Sequence, residues 1–251
     1  MLGLLAGAGN VLGGLLIARP WAKAGHRQQS WSGIGLHSLM QIGAGFLLSV
    51  TVLETVPWSL SHTNPPSWGA PLILGGYLLI HLFEHTVAPH FHFGEETHET
   101  LMVSRGAAYS ALFGLTVHSL FDGVAIGASV ALSQSLGWLV SIAILLHKLP
   151  EGATCASIAL AASLSRRTAF GAAAVLGLAT LAGVALVCVG AGSIRMGAAL
   201  AIAAGVTLYV SATDLIPHGN AENDKRMPLL VFAGVALFAL TDWLITLLHI
   251  Q

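Results

Sequence analysis

Two short segments of this chain pair an imidazole with a carboxylate at helical spacing. They read "HSLFDG" at 118–123 and "HKLPEG" at 147–152. In each, a His stands four residues before an acid, so His118 with Asp122, and His147 with Glu151, would share one helix face. Two imidazoles and two carboxylates in one place match zinc well and also suit ferrous iron or manganese. Each acid precedes a glycine, Gly123 or Gly152, which leaves room for a neighbouring backbone or an ion. Pro150 cannot donate the helical hydrogen bond to Leu146, so that carbonyl is free and the helix can bend beside the acid. The competing reading is structural: Lys148 paired with Asp122 and Glu151 would form an ion triad, which still leaves one negative charge unmatched.

The elements that carry these residues have to suit a bilayer. Of 251 residues, 55% are hydrophobic and only 8% charged, against about 25% charged in soluble domains. Apolar runs broken by polar punctuation fall at roughly 1–18, 33–57, 69–88, 102–131, 136–162, 168–190, 196–217 and 227–249. The expected fold class is therefore all-α: a polytopic membrane helix bundle of eight transmembrane helices in a lipid bilayer, with residues 1–251 as a single transmembrane domain. With a turn near Gln134 and Ser135, spans four and five run antiparallel. His118, Asp122, His147 and Glu151 then meet about 15–20 Å from the turn at 1.5 Å per residue. Ionisable groups at that depth cost at least about 2.5–3.5 kcal/mol each and usually mark a substrate or ion route. Lone intramembrane histidines such as His37 and His249 read better as packing residues. Cys155 continues the stripe of His147 and Glu151 by one turn and reads as a small packing residue.

Several classes are excluded. A formal charge of −1 leaves no basic face for nucleic acid. No nucleotide-binding glycine loop interrupts the spans. Cys155 and Cys188 lie in apolar runs and offer no disulfide framework.

Orientation follows from the basic residues. Arg19, Lys23, Arg27, Arg105, Arg166, Arg167, Lys225 and Arg226 fall on one side and only Arg195 on the other, so the first side is cytoplasmic and both termini are outside. The first segment lacks a basic start and reads as a retained helix rather than a signal peptide. "AGFLLSVTVLETVP" (44–57) and "AGVTLYVSATDLIP" (204–217) match at an offset of 160, with Ala44/Ala204, Gly45/Gly205, Leu48/Leu208, Val50/Val210, Glu54/Asp214 and Pro57/Pro217. These spans run in opposite directions, so the repeat is inverted, as is common in secondary transporters. Gly- and Ala-rich stretches such as "GAAAVLGLATLAG" (171–183) suit close helix contact, and a small-residue face would permit a homodimer.

"HSLFDG" and "HKLPEG" in the fourth and fifth of eight spans, with a His-rich third connection, resemble the ZIP (Zrt/Irt-like) family of divalent metal transporters. The resemblance covers nearly the whole chain. It implies that His118, Asp122, His147 and Glu151 are the transport-site ligands and that metal moves toward the cytoplasm. It also implies that spans 1–3 and 6–8 are inverted repeats around spans 4–5. Two positions depart from the family pattern. Ser119 stands where many members have Asn and offers an oxygen with shorter reach; Lys148 stands where some members have an acid or amide and hold two metals. A cation at Lys148 would replace the second metal electrostatically, so one transport-site metal is expected.

The third connection, 81–100, carries His81, His85, His90, His92 and His98 among Glu84, Glu95, Glu96 and Glu99, a cytoplasmic tract able to catch divalent ions weakly. Glu54 on the outer side, and Asp214 with His218 on the inner side, fall at vestibules or at solvated helix ends. The expected function is uptake of a divalent metal into the cytoplasm across a cytoplasmic (inner or plasma) membrane. Zinc is first among the candidates, with iron, manganese and cadmium open. The metal is cargo, no catalytic cofactor is expected, and the chain is not an enzyme. The rival is an intramembrane zinc-dependent hydrolase. Ser119 beside His118 supports it; the absence of "HExxH" and the use of Glu151 as a ligand oppose it. A metal-sensing receptor without transport is a third reading.

Overall fold

The computed structural model describes residues 1–18, 32–86, 105–190, 195–217 and 226–248. All regular structure among them is helical: α1 (Leu2–Ala18), α2 (Ser32–Val50), α3 (Val56–His62), α4 (Gly69–Thr86), α5 (Arg105–Leu132), α6 (Gln134–Ala161), α7 (Arg166–Gly190), α8 (Met196–Tyr209) and α9 (Met227–Leu247). Seven helical runs are long and apolar enough to cross a membrane, and α1 is a shorter apolar helix. Large apolar side chains such as Leu74, Leu78, Phe232, Leu240 and Trp243 are exposed on α4 and α9, where a bilayer would cover them. The chain is an integral, multi-pass membrane protein.

Two boundaries differ from the sequence expectation. The second span does not stop at Pro57 but continues to His62. Proline lacks an N–H, and the continuous helical run absorbs that loss in the turn just before it. A π-helical segment, Thr51–Thr55, joins α2 to α3 ahead of it. The turn between α5 and α6 falls at Ser133, slightly before Gln134, because the Ser133 hydroxyl accepts from the Leu136 N–H and caps α6.

A second π-helical segment, Val210–Leu215, follows α8. The Val56 N–H donates to the Thr51 carbonyl, and the Ile216 N–H to that of Ser211. Both wide turns therefore sit one residue before a proline, Pro57 or Pro217, at matching places in the two copies of the sequence repeat. Hydroxyls supplement the disturbed ladder: Thr55 donates to the Val50 carbonyl and Thr213 to that of Tyr209.

The correspondence extends to the packing. Helices α1, α5, α6 and α7 form one group, in which α1 lies on α6 and α5 on α7; α2 packs on α9 and α4 on α8. A Cβ at Gly152 would lie 2.0 Å from the Asn10 carbonyl oxygen, and one at Gly123 would lie 2.0 Å from that of Thr180. Gly13 meets the Leu149 carbonyl and Ala153 nitrogen as Gly183 meets those of Leu120 and Val124. Gly7 and Gly177 meet each other. In the outer group, Gly45 and Gly205 meet the carbonyls of Val231 and Ile73, and Gly234 and Gly76 those of Ile42 and Ile202. Lipid offers no hydrophobic drive between helices, so such backbone approach is what holds the bundle. Many of the glycines read as small-residue faces are thus consumed inside the chain.

Candidate metal site

His118 and Asp122 lie on α5; His147, Lys148 and Glu151 lie on α6. On α6 this is about 20 Å from either end at 1.5 Å per residue. One ligand atom from each of His118, Asp122, His147 and Glu151 falls within 4.8 Å of the others, and all four residues are buried. No other group of three or more His, Cys, Asp or Glu among the described residues comes together in this way.

Asp122 Oδ2 is the hub. His118 Nε2 lies 3.2 Å away, His147 Nε2 3.4 Å, and Lys148 Nζ 2.6 Å. The His147 Nδ1–H donates to the Ala143 carbonyl at 3.0 Å. A neutral ring so held points its Nε2 lone pair at the Asp122 oxygen, and two acceptors facing each other call for a cation between them. Lys148 also donates to Glu151 Oε2 at 2.5 Å and to Ser119 Oγ at 3.0 Å, while Ser119 donates to Glu151 Oε1 at 2.7 Å. The ion triad anticipated for Lys148 is therefore present, together with the clustered ligands. With both imidazoles neutral, the two acids and one ammonium leave one negative charge, and a divalent ion would turn it into one positive charge. His118 Nδ1 and Asp122 Oδ1 have no hydrogen-bond partner among the described residues, so the site retains donor capacity that its own side chains do not use.

A cavity of about 10 Å³ adjoins the cluster, lined by Met40, His118, His147, Glu151, Val210 and Leu215. That is about the space one water or one ion needs. Gln41, fully buried on α2, donates through Nε2 to the Leu215 carbonyl at 2.7 Å and ties the second π segment into this wall.

Other sequence candidates lie apart from this group. Glu54 is half-buried on the first π segment, and Asp214 is buried on the second, where it accepts from the Thr213 hydroxyl at 3.3 Å. The rings of His81 and His85 lie 4.2 Å apart, tilted by 35°, near the end of α4. His90, His92, His98 and His218 lie outside the described residues, as do the basic positions Arg19, Lys23, Arg27 and Lys225. Cys155 is buried among Ala108, Leu112, Ala156 and neighbouring apolar side chains, as a packing residue.

Sequence reasoning missed Asn10. It is fully buried on α1, and with its amide oriented to satisfy both ends, its nitrogen lies 2.7 Å from the Lys148 carbonyl and 3.3 Å from Glu151 Oε2. The signal was there to read: Asn10 is the one polar side chain of α1, flanked by Gly9, Gly13 and Gly14. Met40 had no such signal, because methionine is ordinary in a membrane span.

A family model described as ZIP Zinc transporter matches residues 90–242, a stretch that includes all four clustered ligands. The chain is similar to zinc transporter YKE4 of Saccharomyces cerevisiae, with 23% identity over 87% of this chain and 74% of that protein. It is also similar to zinc transporter zipt-7.1 of Caenorhabditis briggsae, with 27% identity over 57% of this chain. A third relative is zinc transporter ZIP4 of Homo sapiens, with 33% identity over 56% of this chain. The chain spans only 38% and 22% of the last two relatives. The family match, the helical membrane bundle and the paired motifs on adjacent helices agree: the chain belongs to the ZIP family, whose members are transporters rather than enzymes.

Proposed function

We propose that this protein carries a divalent metal ion, zinc foremost, across the membrane into the cytoplasm through His118, Asp122, His147 and Glu151. The observation that carries this reading is the convergence of four buried ligand atoms within 4.8 Å at mid-helix. Zinc, iron, manganese and cadmium share the charge and ligand preferences that such a donor set meets. The ion sheds water onto the two imidazoles and two carboxylates and displaces the Lys148 ammonium from Asp122 and Glu151. Alternating exposure to the two sides follows from movement of the group holding α5 and α6 against its surroundings, the usual behaviour of inverted-repeat folds. The paired glycine contacts and paired π segments support such a repeat, and the distribution of basic residues supports both termini outside. Glu54 and Asp214, with His218, serve the outer and inner vestibules, and the 81–100 tract receives the ion on the cytoplasmic side.

Uptake of radioactive zinc by reconstituted vesicles tests the assignment, with an Asp122→Ala, Glu151→Ala double variant as its control. No observation favours the hydrolase reading, since the Ser119 hydroxyl is engaged as a donor to Glu151.

Two further results are expected. The purified protein binds one zinc per chain at this site, because the tethered Lys148 ammonium, buried beside the acids, repels a second divalent ion; two metals bridged by Asp122 and Glu151 in a metal-soaked structure would overturn this. Protons compete with metal for the same lone pairs, so zinc binding weakens as the medium is acidified. Calorimetric titration across a pH series reads the effect, and affinity independent of pH contradicts it.

A further inference from the structure

We propose that Asn10 is a positioning residue of this site: a neutral donor that holds Glu151 in its metal-binding orientation while Lys148 is displaced. The inference rests on the transport-site reading above. A single asparagine in an apolar membrane helix needs partners, and Asn10 finds two, the Lys148 carbonyl at 2.7 Å and Glu151 Oε2 at 3.3 Å. So short a side chain reaches them only because α1 and α6 touch backbone to backbone. A Cβ at Gly13 would lie 2.0 Å from the Leu149 carbonyl oxygen, and one at Gly152 2.0 Å from that of Asn10.

The matching place in the other half lacks this device. Thr180 meets Gly123 as Asn10 meets Gly152, but its hydroxyl turns back to the Leu176 carbonyl of its own helix at 3.2 Å. The two acids are consequently held unequally. Glu151 receives Lys148, Ser119 and Asn10, whereas Asp122 Oδ1 has no partner among the described residues. Arrival of a divalent ion repels the Lys148 ammonium but not an amide or a hydroxyl. Asn10 and Ser119 then remain on Glu151 and keep its oxygens directed at the ion, as outer partners of metal ligands do.

The test is a cycle of zinc-binding titrations on the purified full chain: the parent, Asn10→Leu, Glu151→Ala and the double variant. Asn10→Leu is expected to weaken binding about 10- to 100-fold, the fold-change of one hydrogen bond to a charged group. In the Glu151→Ala background the same change alters affinity by less than about twofold, because its target is gone. Equal weakening in both backgrounds, or none in either, overturns the proposal, since a packing role does not depend on Glu151. Asn10→Ser, whose hydroxyl is too short to reach, repeats the cycle if the leucine variant does not fold. The transport-site reading fails separately, if Glu151→Ala alone binds zinc as tightly as the parent.

Discussion

An Asp122→Ala, Glu151→Ala double variant is expected to lower zinc uptake to the level of empty vesicles. Loss of a partner outside the ligand shell costs metal sites about 10- to 100-fold, so loss of two direct ligands exceeds 100-fold. The double variant also strands Lys148, which is fully buried and ion-paired only to these two acids among the described residues. An uncompensated buried charge costs about 3–5 kcal/mol, enough to unfold many domains. A second variant removes that ambiguity: Asp122→Asn, Lys148→Met, Glu151→Gln takes away all three charges at nearly constant volume. It is expected to reach the membrane folded, as judged by monodisperse elution and a thermal unfolding transition, yet to transport nothing. Normal uptake by either variant would reject the assignment of these acids as ligands.

The second large effect concerns packing. Gly152→Ala places a methyl group 2.0 Å from the Asn10 carbonyl oxygen and 2.7 Å from its Cα. Neither is the end of a flexible side chain, so α1 has to move away from α6. Overpacking of this kind typically costs about 1–3 kcal/mol and sometimes more. Here it also draws Asn10 away from Glu151. The expected result is a fall of several degrees in the unfolding temperature together with weaker zinc binding. Gly75→Ala and Gly171→Ala are the controls. Beyond the local helix backbone no atom lies within 4 Å of a Cβ at either position, and alanine is the better helix former by about 1 kcal/mol, so both should unfold no lower than the parent. An unchanged unfolding temperature for Gly152→Ala would mean that the α1 and α6 contact is looser than described.

The ends of the spans were largely legible in the sequence because apolar runs and polar breaks report directly on bilayer depth. The second span, expected to end near 57, runs on through Pro57 to His62. Proline ends a helix only when no preceding turn absorbs its missing donor, and the wide turn at Thr51–Thr55 does so. The repeat was visible because acid and proline recur at one offset, and each proline follows one of the two wide turns. His118, Asp122, His147 and Glu151 were legible as a group because helical spacing and an antiparallel turn are arithmetic. The Lys148 triad was legible too, as the competing reading, and the structure contains both. The partner that came from a distant helix was not legible. Asn10 reaches Glu151 through contacts between segments more than 100 residues apart, and nothing in either segment announces the other.

In the transport cycle proposed above, Lys148 has a kinetic meaning beyond charge balance. Its ammonium is covalently attached beside the acids it binds, so it acts as an internal competitor whose effective concentration is fixed by the tether and does not vary with the medium. Every incoming cation has to outcompete it, and an ion that gains little from imidazole ligation does so poorly. The same tether works in reverse at release, because the ammonium refills the vacated carboxylates and lowers the barrier to departure. In that cycle the site trades tight binding for turnover.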